Sequence, residues 1–441
     1  MRLSIGASLA ALALAGILPA SAQEHGASPT VEAAEAAPSA AGDLASIRAF
    51  VEGDAAYTPE ERARALARLD ELEPRATRIA PNAVRLAAAE IAAFADNGHT
   101  LMIPTVLARD NALLPYTLHV FQGRIYVIDS AGDDELTGAE LIAMDGRPVP
   151  DLRAAYNRYQ GGEQSWKDQF LPVFLRTPAI LAEAGLISNA DRPTLRFRTE
   201  GGREVERSPN LIAAPPLNPF RSRLLDAPRD GAVPAYLSRP DQTFFTQEMP
   251  EFQALYFAMR ATRDGRGQPI AEALAAAEAE IRDVRPRNVI IDLRLNGGGD
   301  LNTARNFMKT LPTLIPEGGR IFALTSGQTF SAAIASLGYL KEAGGDRVVI
   351  VGEPVGDRLE FWAEGDVMEL PYSGGLLLQA TERHNYMTGC PEEDCHGNIR
   401  RNPIRVSSLQ PDIPAPLTIE AWLEGRDPAL EAIAAWRAAN P

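Results

Sequence analysis

Lysine is scarce in this chain. Among 441 residues there are three, Lys167, Lys309 and Lys341, and arginine carries the rest of the positive charge. Chemistry that needs a lysine base therefore has few places to reside. Cysteine is scarcer, with only Cys390 and Cys395, separated by Pro-Glu-Glu-Asp. A metal site needs more ligands at the right spacing, and the adjoining His396 does not supply them, so no metal and no cofactor is expected. In an oxidising compartment the pair reads as a disulfide closing a small loop. Positive charge is outweighed, with a net charge of −15, so no surface for nucleic-acid phosphates is expected. Long apolar runs are also missing. Beyond the first residues, no stretch reaches the roughly 18 apolar residues of a membrane span.

The chain is 45% hydrophobic and 23% charged, ordinary for a globular protein, and long enough for two or three domains. Residues 1–22 have the parts of an export signal: Arg2, the apolar Leu9–Leu18 and the small-residue site Ala20-Ser21-Ala22. Cleavage before Gln23 predicts a secreted or periplasmic protein with no membrane span; an uncleaved anchor is the alternative. Residues 23–42 read as a flexible linker rich in Ala, Glu, Pro and Ser. Residues 43–100 have helical spacing, with Pro59 behind a Thr cap and Gly98 as a helix stop. Residues 101–207 change to short alternating strands, with hairpins at Tyr116–Ile128 and Thr194–Arg207 and a helix over Leu171–Leu186. Residues 208–240 form a Pro-rich linker. From 241 to 441 strands and helices alternate, which predicts an α/β layer of largely parallel strands ending in a helix over Arg426–Ala439.

Two stretches of this last region carry chemistry. The apolar run Asn288–Ile291 leads into Asp292-Leu293-Arg294-Leu295-Asn296-Gly297-Gly298-Gly299. Glycines here let backbone approach a ligand closely. The strand-like Arg320–Thr325 leads through a turn to Thr329-Phe330-Ser331-Ala332-Ala333, where a helix opens. A serine at such a turn has its hydroxyl near free helix amides, which stabilise an anion. The neighbouring glycine turn offers a second oxyanion donor. The plainer alternative makes Ser331 a helix N-cap.

Those two stretches, then Val351-Gly352-Glu353-Pro354-Val355-Gly356, then Gln410–Pro414 and Gly425–Leu430, follow in an order that resembles the peptidase S41 family of tail-specific and tricorn-like serine peptidases. Gly138–Val149 resembles part of the PDZ-like module that precedes the catalytic core in many members. The resemblance implies an α/β, or α+β multidomain, fold. Its parts are an N-terminal helical segment, a PDZ-like β-rich module and a ClpP/crotonase-like spiral catalytic domain. It implies a serine-type peptidase acting on peptides or proteins, with Ser331 as nucleophile and Gly297, Gly298 and Ala332 supplying oxyanion amides. Oligomeric state is not implied.

Tail-specific members place a lysine base just past a Gly-Glu motif, which Gly352-Glu353 matches here. Here Asp357 and Arg358 stand in that place, and arginine does not release its proton. Lys341 lies ten residues beyond Ser331 on one helix, about 15 Å along its axis. A histidine base is expected instead. Asp96-Asn97-Gly98-His99-Thr100 is similar to the histidine stretch of the tricorn-like branch, which assigns His99. His384 and His396 are weaker matches, and a structural histidine at a helix end is the plainer alternative. The carboxylate behind the imidazole is assigned to Glu382, with Glu353 as a substitute. A non-catalytic peptide-binding chain on the same scaffold is the second reading. An acyl-CoA enzyme of the crotonase type is a third, without a phosphate-binding motif to support it.

Overall fold

Continuous apolar runs in the second half of the chain form the strands of one sheet. In the computed structural model, which describes residues 37–440 except 131, 216–217, 219–220 and 228–231, this sheet has six strands. Its order is Phe244–Met249, Ala254–Met259, Asn288–Asp292, Ile321–Thr325, Val348–Gly352 and Ile413–Pro414. The first strand is antiparallel to its neighbour and the others run parallel. Every residue of the four central strands is buried. Such runs do not alternate because both faces are covered. Leu255, Val289, Ile291, Ala323 and Ile350 face the helices Ile270–Val284, Leu301–Leu314 and Ala332–Gly344. Tyr256, Ile290, Phe322 and Val351 face the final helix, Pro428–Ala439, through Ala429 and Ile433.

The β-rich module is a separate antiparallel sheet of Tyr116–Phe121, Arg124–Ser130, Glu140–Met144, Leu195–Arg198 and Glu204–Arg207. The single helix expected over Leu171–Leu186 is two, Gln164–Leu175 and Pro178–Glu183. Thr177 departs from helical geometry between them, as a residue before proline tends to.

The N-terminal helices are Ala40–Gly53, Pro59–Leu72 and Pro81–Ala93. Ser39 caps the first, so helix begins inside the expected linker over residues 23–42. The expected signal over residues 1–22 lies outside the described residues, as does the linker up to residue 36. These helices share a core with the β-rich module and with Leu370, Leu376 and Leu377. Those leucines belong to the long hairpin Glu360–Leu370 and Gly375–Asn385, which pairs with Leu101–Met102. The early chain is thus stitched to a hairpin near the end of the chain, which brings residues near 99 beside residues near 360. Among the described residues, no helix is long and apolar enough to cross a membrane.

Candidate active site

Ser331 and the glycine turn stand at the C-terminal ends of two adjacent parallel strands, where open α/β sheets commonly form ligand sites. Buried side chains wire the two turns together. Thr329 donates its hydroxyl to the Leu293 carbonyl at 2.9 Å. The Phe330 amide donates to the Asn296 carbonyl at 3.1 Å. Asn296, fully buried, donates through Nδ2 to the Met259 carbonyl at 3.0 Å and accepts from the Gly298 amide at 2.9 Å.

Ser331 stands at the N-cap position of Ala332–Gly344 but does not cap it with its side chain. Its φ of 55° and ψ of −125° lie outside the extended region of caps, and its side chain makes no capping bond. Only its carbonyl serves the helix, accepting from Ile334 at 2.9 Å and from Ala335 at 3.3 Å. A serine held in this sparsely populated conformation has its hydroxyl available for other work. Gly298, at φ 102°, packs against it, and a methyl there would lie 2.7 Å from the Ser331 Cβ. The amides of Ala332 and Gly297 have no acceptor among the described residues. The Gly298 amide does have one, Asn296 Oδ1, so of the two glycines expected as oxyanion donors only Gly297 has a free N–H.

His99 is buried between two rings, stacked on Phe330 at 4.4 Å and on Phe361 at 5.0 Å. Phe330 directly precedes the serine, so the early imidazole packs on the residue next to Ser331. Asn97 fixes the loop by bonding the backbone of Trp362 on both sides, Nδ2 to its carbonyl at 2.9 Å and Oδ1 from its amide at 3.1 Å. Trp166 donates its indole N–H to the Gly98 carbonyl at 3.1 Å. Gly98 is not the helix stop; Asp96 takes the positive φ, 42°. Glycine at 98 serves close approach instead, since a methyl would come within 2.8 Å of Asp357 Oδ2.

Asp357 is the carboxylate beside the imidazole, its Oδ2 3.3 Å from His99 Nδ1 and buried. The pair is out of line for a hydrogen bond, and neither ring nitrogen of His99 has a partner among the described residues. Glu382 does not stand behind His99. It pairs with Nδ1 of His396, because its strand position turns it toward the disulfide loop. Glu353, the substitute, lines a cavity shared with Arg294 and Leu417, and burial pushes its carboxyl up. The Cys390–Cys395 disulfide is formed. Lys341 is tied to the Val348 carbonyl at 2.7 Å.

A buried ion network sits under the glycine turn. Arg294 forks between Asp292 and Asp427, with contacts of 2.5 Å and 2.8 Å, and Tyr256 donates its hydroxyl to Asp292 at 2.7 Å. Burial pushes the Asp292 carboxyl up, but Arg294 outweighs that and holds it below the usual carboxylate range.

No protein-family model matches this chain, and no curated protein matches it. Solved structures do. The chain is similar to mature CPAF, with a TM-score of 0.59 and 14% identity over 90% of this chain and 95% of that one. CPAF complexed with lactacystin aligns with a TM-score of 0.57 and 14% identity, covering 91% and 98%. A photosystem II D1 C-terminal processing protease aligns at 13% identity and a TM-score of 0.37, covering 89% and 95%. The chain has the multidomain α/β fold of CPAF.

Proposed function

We propose that this chain is a serine-type peptidase of the S41 kind, exported to the periplasm or beyond. Ser331 Oγ attacks the carbonyl carbon of a peptide bond as His99 takes its proton. Asp357 steadies the resulting imidazolium. The amides of Ala332 and Gly297 receive the oxyanion, with Gly298 kept clear of it by Asn296. The C–N bond breaks as His99 returns the proton to the leaving amine. Water, deprotonated by the same imidazole, then releases the acyl group from Ser331. The β-rich module, PDZ-like in sequence, binds an extended segment of the substrate by strand addition. One observation carries this reading: a serine in a strained turn whose side chain does not cap, beside unengaged amides, with a buried imidazole that makes no hydrogen bond stacked on its neighbour. A fluorophosphonate probe tests it. Wild type is labelled, Ser331→Ala is not, and His99→Ala is labelled far more slowly. Equal labelling of wild type and Ser331→Ala removes Ser331 from the mechanism and leaves a peptide-binding scaffold.

A further inference from the structure

A second set of ionisable groups lies on the far side of Phe361. His384 stacks on Phe361 at 4.9 Å, and His396 stacks on His384 at 5.2 Å. His384 is 2% exposed. Its Nδ1 is held by the Tyr386 hydroxyl at 3.1 Å, but its Nε2 has no hydrogen-bond partner among the described residues. Glu364 Oε1 stands 3.4 Å from that nitrogen. Glu364 has a φ of 59° inside an irregular step of the hairpin, where the register shifts on either side of it. Bulges of this kind re-aim a side chain. His396 completes the group, with its Nδ1 held by Glu382. One ligand atom from each of Glu364, His384 and His396 falls within 4.8 Å of the others.

The His384–Glu364 contact at 3.4 Å leaves Nε2 without an aligned hydrogen bond, and a metal ion between the two groups would fill that position. Tetrahedral bonds of about 2.1 Å to nitrogen and oxygen set neighbouring ligand atoms about 3.4 Å apart, which is the Glu364–His384 spacing. The remaining nitrogens are oriented as in metal sites generally, one ring by a hydroxyl and the other by a carboxylate. Imidazole nitrogens favour borderline transition metals over Ca²⁺ or Mg²⁺.

We propose that Glu364, His384 and His396 bind one divalent transition metal ion of the Zn²⁺ class, with a fourth position for water. Glu382 and Tyr386 orient the two imidazoles. The ion ties the bulge of the long hairpin to the disulfide loop that carries His396, directly behind the ring that packs on His99. This site is independent of the role assigned to Ser331.

The test uses the full chain with its disulfide intact, stripped with a chelator and titrated with Zn²⁺ against a chromophoric competitor. Co²⁺ serves as a spectroscopic probe. Wild type should take up one ion and show the visible bands of low-symmetry Co²⁺, and Zn²⁺ should raise its Tm. Glu364→Gln and His396→Gln lie nearer the surface than His384 and should fold without metal. Each should weaken binding at least tenfold and abolish the rise in Tm, and Glu382→Gln should weaken it by a smaller factor. Absence of stoichiometric binding to wild type overturns the proposal. So does binding of equal strength in Glu364→Gln and His396→Gln.

Discussion

Replacing Arg294 by methionine tests how the glycine turn is held. The guanidinium is buried and bonded to two carboxylates that are themselves buried, Asp292 and Asp427. It also lies over the Tyr236 ring at 4.3 Å. Asp427 accepts from the amides of Ala429 and Leu430 as well, capping the last helix. Removing the cation leaves two buried carboxylates facing each other. Breaking one side of a buried ion pair typically costs about 3–5 kcal/mol. The cost should depend on pH with a definite sign. In wild type the Asp292 carboxyl is depressed by Arg294. Its contribution to stability is therefore present above its unfolded value of about 4 and lost as pH falls through the lower folded value. In the variant that contribution disappears, and burial now favours the protonated carboxyls. Denaturant unfolding at pH 7 and at pH 4.5 should show the largest penalty at pH 7 and a clearly smaller one at pH 4.5. Combining Arg294→Met with Asp292→Asn and Asp427→Asn should recover part of the loss at pH 7, since the stranded charges are gone. A penalty below about 1 kcal/mol, or the same penalty at both pH values, refutes this account of the turn.

Other outcomes follow from the same geometry. Asp357→Asn should lower turnover of a cleaved peptide by about 10²-fold or more with KM little changed; unchanged turnover removes Asp357 from the machinery. Gly298→Ala should cost about 1–3 kcal/mol from positive φ and overpacking and should abolish probe labelling, since the added methyl meets the Ser331 Cβ at 2.7 Å; labelling at the wild-type rate contradicts it. Burial pushes the Asp54 carboxyl up to about 6, against the amides of Ala380 and Ala56 and the Thr100 hydroxyl that bond its charged form. A raised folded value stabilises at low pH and is lost as pH rises through 6. Wild type should therefore gain about 1–2 kcal/mol relative to Asp54→Asn between pH 7 and pH 5, read from paired unfolding curves; a flat difference refutes the assignment.

The α/β half was legible because its strands are short apolar runs and its helices are amphipathic. The strand expected over Arg320–Thr325 is Ile321–Thr325, and the helix expected over Arg426–Ala439 is Pro428–Ala439. The single helix expected over Leu171–Leu186 is two, since the break at Thr177 depends on the following proline and on packing. Ser331 and His99 are legible as candidates from local motifs, but Asp357 is not: the resemblance puts lysine in that place, and nothing local shows that an aspartate there stands 3.3 Å from His99 Nδ1. The assignment of Glu382 rests on a position late in the chain that the resemblance implies. Nothing local shows that its neighbour would be His396. The Glu364–His384–His396 cluster was invisible for a related reason: its members meet across a hairpin whose register shifts on both sides of Glu364, and sequence spacing does not encode a bulge.

The rings of Trp166, Phe330, His99, Phe361, His384 and His396 form one uninterrupted pile, with Trp166 stacked on Phe330 at 3.6 Å. It begins on a helix of the β-rich module and ends beside the disulfide. A ring inside such a pile cannot tip without opening a gap against both neighbours, so the tilt of the imidazole is set jointly by two distant parts of the chain. The indole at one end is also a chromophore. An inhibitor seated against Ser331 should therefore disturb the Phe330–Trp166 stack and change the near-ultraviolet dichroism, with the change absent in Trp166→Phe; an unchanged spectrum on binding refutes the coupling.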